Sequence, residues 1–409
     1  MTSEILEKCK KAHELLAADE ACKGYAEQTA QLIDKLENQA MTVSIIGQFK
    51  RGKSSLSNAI LEDKVLPVGI VPITSAVTKV VYREDKSVHV YFKNGAVEEV
   101  DAADLSKYIS EQENKNNELG VEMVVMGSPS PFLKEGMEFV DTPGVGSFHK
   151  NNTEAAYEYM KESDGVIFLL SVDSPINQIE IDFLRNTNDF AGRFYFAVNK
   201  TDTVSESDLN AYIDYCRMIL CELMGTEDVK IFPVSAKTGA GIEELKNTVL
   251  TDCRKNGAAI LEESAEKKLK EIITQSLKQL DFYWKAMNMP YEELDERFAA
   301  VQKVIEEIKE TAATRNAIFE LYLNEIKLQL SAKILELFGM EYHYNIKELP
   351  AGMVTMNKDQ FLKQVDEICD DLVDTLNRIL LYREENAYTV VRRINAINRL
   401  TRSLKRLQE

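Results

Sequence analysis

The chain has 409 residues, of which 44% are hydrophobic and 28% are charged. This composition predicts a folded protein of two or three domains and excludes a mainly disordered chain. A formal net charge of −18 disfavours binding of nucleic acid or anionic lipid over the whole surface. The apolar runs are far shorter than the roughly 20 residues of a membrane-spanning helix, and residues 1–11 are too polar for a secretory signal. We therefore expect a cytoplasmic protein, either free or peripheral at a membrane.

The six cysteines and four histidines form no metal-binding or disulfide pattern. The cysteines include no C-x-x-C pair, and the histidines are scattered along the chain. We therefore expect reduced, mostly structural thiols, with neither a zinc site nor a disulfide framework.

The first half of the chain alternates between helical and strand patterns. Residues 4–36 carry apolar positions among Glu, Lys and Gln, which predicts helix. An alternating run at 78–82 is predicted to pair with 87–92 as a β-hairpin. Short β-branched or apolar runs predict buried parallel strands at 42–46, 165–170, 193–198 and 229–234.

The second half predicts long helices, because three stretches contain neither Gly nor Pro: 258–289, 291–338 and 359–409. An uninterrupted helix over 291–338 would be about 70 Å long, which favours an elongated helical bundle or stalk. If that helix pairs antiparallel with 359–409, the intervening 339–358 becomes the distal tip.

Residues 47–54, GQFKRGKS, fit the pattern G-x-x-x-x-G-K-S between a predicted strand and a predicted helix. In such a loop, backbone N–H groups surround phosphates at a helix N-terminus. Lys53 neutralises the β- and γ-phosphates, and the Ser54 hydroxyl ligates Mg²⁺. The expected nucleotide contacts from this loop are Gly47, Gln48, Phe49, Lys50, Arg51, Gly52, Lys53, Ser54 and Ser55.

Residues 139–144, FVDTPG, put a carboxylate at the end of an apolar strand. Asp141 is expected to hold the magnesium through water, while the Gly144 N–H reaches the γ-phosphate. D-x-P-G alone is a common turn, but behind a phosphate-binding loop it indicates a sensor of the nucleotide state.

Two further motifs, NKTD at 199–202 and SAK at 235–237, define the base. The Asp202 carboxylate can accept from guanine N1–H and the exocyclic amine, and the Ala236 N–H can donate to O6. We therefore predict GTP and GDP rather than ATP. The expected base contacts are Asn199, Lys200, Asp202, Ser235, Ala236 and Lys237.

A switch threonine is expected between Ser54 and Asp141, where Thr74, Ser75 and Thr78 are available. We prefer Thr74 as a magnesium ligand, because Thr78 begins an alternating strand pattern and is expected to be structural.

The position after Gly144, where Ras-like GTPases have a water-orienting glutamine, is Val145. Water positioning and charge compensation must therefore come from the loop side chains Gln48, Lys50 and Arg51, from the switch or from a partner molecule. We expect Arg51 to face solvent or a partner subunit.

At these motifs the sequence resembles the dynamin superfamily, most closely its bacterial dynamin-like members and, among eukaryotic relatives, the mitofusins. The resemblance rests on GQFKRGKSS at 47–55, LPVGIVPITSAVT at 66–78, DTPGVGS at 141–147 and NKTD at 199–202. It implies that Thr74 is the switch threonine. It also puts Lys50 where dynamins have a serine that helps hold a monovalent cation, so such a cation is a further candidate cofactor. Lys50, Lys53, Thr74 and Gly144 are the candidate catalytic residues.

The resemblance also implies a domain plan. We expect a P-loop GTPase domain at 40–254, with a doubly wound, mostly parallel sheet. Residues 1–39 would pack with the C-terminal helices as a neck, and 255–409 would form the helical stalk with a tip at 339–358.

We predict a GTP-hydrolysing, dynamin-like protein that forms homodimers through its GTPase domain and couples the nucleotide cycle to stalk movement, with membrane remodelling as a candidate role. One alternative is a GTP-gated adaptor with little turnover. Another is an RNA-maturation GTPase similar to Era or TrmE, which the net charge of −18 disfavours. Larger relatives carry a paddle or transmembrane tip, which we do not expect in this chain, so the resemblance does not imply membrane fusion or fission.

The final helix is basic and amphipathic, with an apolar stripe from Val390 to Leu407. Such a helix can lie on a membrane or pack in a bundle, where the acidic N-terminal helix could cover its basic flank. The apolar residues of 339–358 likewise suit contact with lipid, contact with a partner protein, or packing back onto the bundle.

Overall fold

A computed structural model describes most of the chain and divides it into two compact units. The described residues are 4–48, 50–66, 77–92, 95–109, 113–114, 119–134, 136–142, 160, 162–187, 191–316, 319–340, 342, 358–384 and 387–408. Residues 35–268 form one unit, called here the α/β unit, and the described residues before 35 and after 268 form the other, called the helical unit.

The α/β unit is built on a mixed sheet, in which the described strands follow the order β4-β3-β5-β2-β6-β1-β7-β8-β9. The strands are β1 Met41–Ile46, β2 Val77–Tyr82, β3 Ser87–Phe92, β4 Val97–Glu99, β5 Val121–Ser128, β6 Met137–Asp141, β7 Gly165–Ser171, β8 Arg193–Asn199 and β9 Ile231–Pro233. Strand β1 pairs parallel with both β6 and β7, and β7 with β8. Because parallel strands end at the same edge, the loops after these strands converge.

Helices cover both faces of this sheet. The described helices of the chain are α1 Glu4–Ala17, α2 Lys23–Asn38, α3 Lys53–Leu61, α4 Ser106–Ile109, α5 Gln178–Thr187, α6 Glu206–Met224, α7 Ile242–Asn288, α8 Tyr291–Thr314, α9 Phe319–Phe338, α10 Lys358–Glu384 and α11 Ala387–Gln408. Helices α3 and α7 contribute Leu56 and Val249 to the core on one face. Helices α5 and α6 contribute Phe183 and Leu220 to the core on the other. The predicted α/β fold is therefore confirmed.

The predicted hairpin of 78–82 with 87–92 is wrong. Strand β5 lies between β2 and β3, parallel to β2 and antiparallel to β3. On its other edge β2 pairs antiparallel with β6, so that Thr78 lies opposite Asp141. Thr78, one of the candidate switch residues, therefore lies in a strand beside the one that ends at Asp141.

Residues 291–338 do not form one helix in the helical unit. Helix α8 ends at Thr314, because Arg315 has an extended backbone with φ −69° and ψ 140°, and α9 begins at Phe319. The Arg297 guanidinium of α8 donates to the carbonyl oxygen of Leu337 near the end of α9. The two helices therefore form an antiparallel hairpin, and the predicted helix of about 70 Å is wrong.

Helix α10 also runs antiparallel to α8. Near its start, Asp366 is 3.0 Å from Lys309, and near its end Arg383 donates to the Met289 carbonyl oxygen at 2.7 Å. Within the predicted tip at 339–358, only Gly339, Met340, Tyr342 and Lys358 are described. Met340 and Tyr342 are buried, and the Tyr342 ring packs on Phe282. These two residues therefore pack back onto the bundle.

The N-terminal helical segment and the last helix pack together within the helical unit. Residues 4–36 contain two helices rather than one, α1 and α2. Asp19 lies between them, and its side chain accepts from the Ala21 N–H. The Arg393 guanidinium of α11 binds both carboxylate oxygens of Asp19, at 2.7 and 2.6 Å. Val390, Ile397 and other residues of the apolar stripe of α11 are buried. This stripe therefore packs in the bundle.

The sequence contains no helix suited to spanning a membrane within the part of the chain that the structure describes.

A buried carboxylate connects four segments of the α/β unit. Asp164, directly before β7, accepts from the Thr42 N–H at 2.9 Å and the Ser264 hydroxyl at 2.7 Å. It also lies 2.7 Å from the Lys35 ammonium and 3.0 Å from the Lys268 ammonium. Burial alone would raise the pKa of this carboxyl, but the two lysines and the hydrogen bonds hold it below its ordinary value.

We expect Asp164→Ala to lower the free energy of unfolding by about 3–5 kcal/mol, because it leaves the buried Lys268 ammonium and the partly buried Lys35 ammonium without their carboxylate. The pKa of Asp164 is lower in the folded state than in the unfolded state. Its contribution to stability is therefore present above the ordinary pKa and is lost as the pH falls through the pKa of the folded state. Urea unfolding at several acidic pH values should therefore show a flatter pH dependence for the variant than for the wild type. Asp182→Ala, at a half-exposed surface carboxylate, should change stability by less than about 1 kcal/mol.

Candidate nucleotide-binding site

Two glycines of the loop between β1 and α3 are held in close contact with neighbouring groups. A Cβ at Gly47 would lie 2.4 Å from the Leu169 carbonyl oxygen, and a Cβ at Gly52 would lie 2.5 Å from Asn199 Nδ2. Gly52 also has a left-handed backbone with φ +93°, and it directly precedes the first residue of α3. The close packing and this backbone angle therefore require glycine at both positions.

Lys53 is the first residue of α3 and is buried. Its ammonium donates to the carbonyl oxygens of Gly47 at 2.9 Å and Gln48 at 3.4 Å. Burial lowers the pKa of Lys53 to about 8, while the carboxylates of Asp141 and Glu180 oppose the shift. The side chain is therefore mostly charged at neutral pH and is placed beside the loop that would hold phosphate.

Ser54 and Asp141 form the pair expected for magnesium. The Ser54 hydroxyl donates to Asp141 Oδ2 at 2.7 Å. The other oxygen, Asp141 Oδ1, is buried and has no hydrogen-bond partner among the described residues. Burial raises the pKa of Asp141 to about 6, opposed by the Ser54 hydrogen bond and by Lys53. A hydroxyl beside a buried carboxylate with an unused oxygen fits a hard cation such as Mg²⁺.

Thr78, which was predicted to be structural, lies beside Asp141 of this pair. It is buried, lies opposite Asp141 in the register of β2 and β6, and its hydroxyl has no hydrogen-bond partner in the described part of the chain. Opposite residues of an antiparallel pair project to the same face of the sheet. A second unused oxygen is therefore placed beside Asp141.

The guanine motifs lie after β8 and β9. The Asp202 carboxylate accepts from the Ser235 hydroxyl at 2.7 Å and lies 3.7 Å from the Lys237 ammonium. The Ser235 hydrogen bond and the charge of Lys237 hold the pKa of Asp202 below its ordinary value. The Ala236 N–H donates to Asn199 Oδ1 at 3.0 Å, so a contact of this N–H with guanine O6 would require that bond to be exchanged.

Asn199 and Lys200 also contact the phosphate loop. Asn199 Nδ2 donates to the Arg51 carbonyl oxygen at 2.9 Å, and the Lys200 ammonium donates to the Lys50 carbonyl oxygen at 2.7 Å. Lys50 itself is exposed, with a left-handed backbone at φ +69°. The structure therefore brings the phosphate loop and the NKTD motif into direct contact.

The expectation that Arg51 faces solvent or a partner subunit is wrong. Arg51 is 2% exposed, and its guanidinium forms an ion pair with the fully buried Glu180 at 2.8 Å. Sequence reasoning missed Glu180 and its neighbour Asn177. The available signal was N-x-x-E directly before an amphipathic helix, which is a capping-box pattern.

Several predicted site residues lie outside the described residues. They are Phe49, Thr74, Gly144 and Val145. Ser55, in the first turn of α3, is described and half-buried.

Comparison with known proteins gives matches to the dynamin family and to dynamin-like proteins. The pattern of the dynamin family (Dynamin_N) matches residues 43–202. The "Uncharacterized protein in xynA 3'region" of Caldicellulosiruptor sp. is 31% identical over 309 residues, which are 72% of this chain and 76% of that protein. Dynamin-like protein 2 of Campylobacter jejuni is 29% identical over 217 residues, which are 53% of this chain and 34% of that protein. The present chain thus spans only about a third of that longer relative.

A solved structure of an oligomerised bacterial dynamin pair, described as a mechanism for long-range sensing and tethering of membranes, aligns with 98% of this chain and 78% of its own. The sequence identity is 17% and the TM-score is 0.45. On the family pattern and the dynamin-like relatives, the chain belongs to the dynamin superfamily of GTPases. Its α/β unit is the GTPase domain, a fold that implies binding of GTP and GDP.

Proposed function

We propose that this protein binds GTP with Mg²⁺, hydrolyses it to GDP and phosphate, and does so faster when two GTPase domains pair. The observation that carries the proposal is the contact of Ser54 Oγ with Asp141 Oδ2 at 2.7 Å, with the buried Asp141 Oδ1 unpartnered in the described region. Lys53 lies one residue away at the start of α3. This arrangement supports a metal-assisted phosphate site.

Each group at the site has a role in this proposal. Ser54 and Asp141 would hold Mg²⁺, with Thr74 as the further candidate ligand, and the ion would neutralise charge on the phosphate oxygens. Lys53 binds the β- and γ-phosphates. Asp202 binds guanine, supported by Ser235 and the remaining residues of the two base motifs. The Gly144 N–H is proposed to contact the γ-phosphate.

The proposed catalytic group is Lys50, because Arg51 is held in a buried ion pair and Val145 carries no polar side chain. Hydrolysis adds water to the γ-phosphorus and breaks its bond to the β–γ bridging oxygen, where negative charge develops. An ammonium beside that oxygen stabilises the charge, and a bound monovalent cation would supply the same charge. Pairing of two GTPase domains would exclude water from this exposed lysine and strengthen its effect.

Phosphate release, measured with Mg²⁺ over a wide range of enzyme concentration, tests the proposal. The wild-type rate per molecule is expected to rise with concentration. Lys50→Ala should lower the saturated rate by about 10²- to 10³-fold and weaken GTP binding much less. Lys107→Ala, at an exposed lysine of α4, is the control and should change neither. A flat, near-zero wild-type rate would instead favour a GTP-gated adaptor. Weaker GTP binding by Lys50→Ala with an unchanged saturated rate would eliminate Lys50 as a catalytic group.

We infer from family membership that the helical unit couples the nucleotide state to movement and that the partner in pairing is a second copy of this chain. A cytoplasmic location with peripheral membrane association and a role in membrane remodelling extend this proposal. Lipid or protein contact through 339–358 would involve residues other than Met340 and Tyr342, which are buried. Sedimentation with liposomes in the presence of GDP or a GTP analogue tests this extension.

A further inference from the structure

The Arg51 side chain is fully engaged inside the α/β unit. Its Nε donates to Glu180 Oε1 at 3.1 Å and its Nη2 to Glu180 Oε2 at 2.8 Å, so the two groups form a bidentate pair. The remaining N–H groups donate to the carbonyl oxygens of Ser171 at 3.2 Å, Ser174 at 2.7 Å and Pro175 at 3.1 Å. This guanidinium is therefore committed to the segment between β7 and α5.

Glu180 is also part of the N-terminal cap of α5. The Asn177 N–H donates to Glu180 Oε2 at 3.2 Å, and the Glu180 N–H donates to Asn177 Oδ1 at 3.2 Å. This reciprocal pair is a capping box. In addition, Asn177 Nδ2 donates to Gln48 Oε1 at 2.8 Å. Both members of the cap therefore hold a side chain of the phosphate loop, Glu180 through Arg51 and Asn177 through Gln48.

The same stretch of loop is held from a second direction by its backbone. As described above, Asn199 and Lys200 donate to the carbonyl oxygens of Arg51 and Lys50. The loop from Gln48 to Gly52 includes left-handed residues at 50 and 52, a shape that an isolated segment would rarely adopt. The two sets of contacts together restrict the conformation of the described residues of this loop.

We propose that Glu180 is a positioning residue of the nucleotide site, which acts through Arg51 to pre-arrange the phosphate loop. The proposal rests on the nucleotide binding proposed above. A buried ion pair contributes little net stability compared with apolar side chains of similar size. A loop that is already ordered loses less conformational freedom when the ligand binds. The contribution of this pair is therefore to nucleotide affinity rather than to the fold.

Three variants separate these two contributions: Arg51→Met, Glu180→Met and the double variant with both changes. Each single variant leaves one buried charge unpaired, so it should lower both the melting temperature and the affinity for a fluorescent GDP. The double variant removes both charges together. It should regain the part of the melting temperature that the unpaired charge costs, but not the part lost with the α5 cap and the three carbonyl hydrogen bonds. Its dissociation constant for fluorescent GDP should stay about 10- to 100-fold above that of the wild type.

Glu180→Gln provides a milder measurement, because the amide oxygen can still accept from the Asn177 N–H. The cap is retained while the charge that holds Arg51 is lost, so we expect a smaller loss of melting temperature than in Glu180→Met. Its affinity for fluorescent GDP should still fall by about 10-fold or more.

The bidentate pair of Asp19 and Arg393 in the helical unit is a matched control. Asp19→Met and Arg393→Met should lower the melting temperature without changing the affinity for fluorescent GDP. An Arg51→Met, Glu180→Met double variant that binds fluorescent GDP as tightly as the wild type would overturn the positioning role and leave the proposed function intact. A wild-type chain that binds no guanine nucleotide would overturn the proposed function, and this inference with it.

Discussion

Lys53→Ala is expected to weaken GTP and GDP binding by at least about 100-fold while the helical content of the protein is unchanged. The ammonium of Lys53 donates to the backbone oxygens of Gly47 and Gln48 and forms no ion pair with a carboxylate among the described residues. Truncation therefore removes the charge that we propose binds phosphate and breaks no ion pair in that part of the chain. A charge-assisted contact with phosphate in a buried site has at least this magnitude. Titration calorimetry with GDP, together with far-ultraviolet circular dichroism, measures both effects.

The pKa of Lys53, about 8, gives this prediction a pH dependence. In the proposed site the charged form binds phosphate. The affinity of the wild type for GDP should therefore fall as the pH rises through that value, because deprotonation of the free protein then competes with binding. The affinity of Lys53→Ala should not show this decline.

A second buried lysine supplies the control. Burial lowers the pKa of Lys268 to about 8 as well, but its ammonium pairs with Asp164 at 3.0 Å. Lys268→Met should therefore lower the melting temperature and leave GDP binding unchanged. Similar loss of GDP affinity in both variants would show that the Lys53 effect reflects unfolding of the α/β unit rather than loss of a phosphate contact.

Local sequence patterns were sufficient to predict the strand, loop and helix around Lys53, and to place Asp141 and Asp202 at strand ends. Each of these features depends on a few adjacent residues and on glycines whose backbone geometry is demanding. The positions of β1, β6 and β8 follow from buried apolar runs that end at these motifs.

Strand pairing could not be predicted in the same way. The alternating pattern of β2 suits any neighbour that buries the same face, so it does not distinguish β3 from β5. In the structure Val80 of β2 pairs with Met126 of β5, which in turn pairs with Val88 of β3. Strand β5 begins about forty residues after the end of β2. No local turn pattern indicates that a strand so distant in sequence lies between β2 and β3.

The break between α8 and α9 was missed for a related reason. Absence of Gly and Pro permits a continuous helix but does not require one, because tertiary packing overrides intrinsic propensity. Here the chain leaves the helical conformation at Arg315, whose guanidinium then lies over the ring of Tyr322, 4.2 Å from the centroid. With this hairpin, apolar residues of both helices are buried, including Ile305 of α8 and Ile326 of α9.

Arg51 was misplaced because its partner is distant in sequence. Glu180 is 129 residues away, and a basic residue in a phosphate loop is expected by default to meet phosphate or solvent. The capping-box pattern at Asn177 and Glu180 predicts a helix start, but it does not reveal that the Glu180 carboxylate also meets a guanidinium from another loop.

Asp202→Asn is expected to change the base that the protein prefers. The carboxylate is placed by the Ser235 hydroxyl at 2.7 Å, and that hydrogen bond and Lys237 keep its pKa low, so it is ionised and can only accept. Guanine offers two donors, N1–H and the exocyclic amine, which match two acceptor oxygens. An asparagine replaces one acceptor with an NH₂ donor, so GTP affinity should fall by about 10²- to 10³-fold.

Xanthine has a carbonyl oxygen in place of the guanine amine, and that oxygen needs a donor. The variant should therefore bind xanthosine triphosphate more tightly than the wild type does, which simple damage to the site would not produce. Asp208→Asn is a matched control, because Asp208 also accepts from a serine hydroxyl, that of Ser205 at 2.7 Å, but on the surface of α6. Competition of both triphosphates against fluorescent GDP measures the ratio of affinities. Asp202→Asn exchanges an acceptor for a donor and preserves the size of the side chain. If Asp202 binds the base, this exchange must change the ratio of affinities, so an unchanged ratio would refute the assignment.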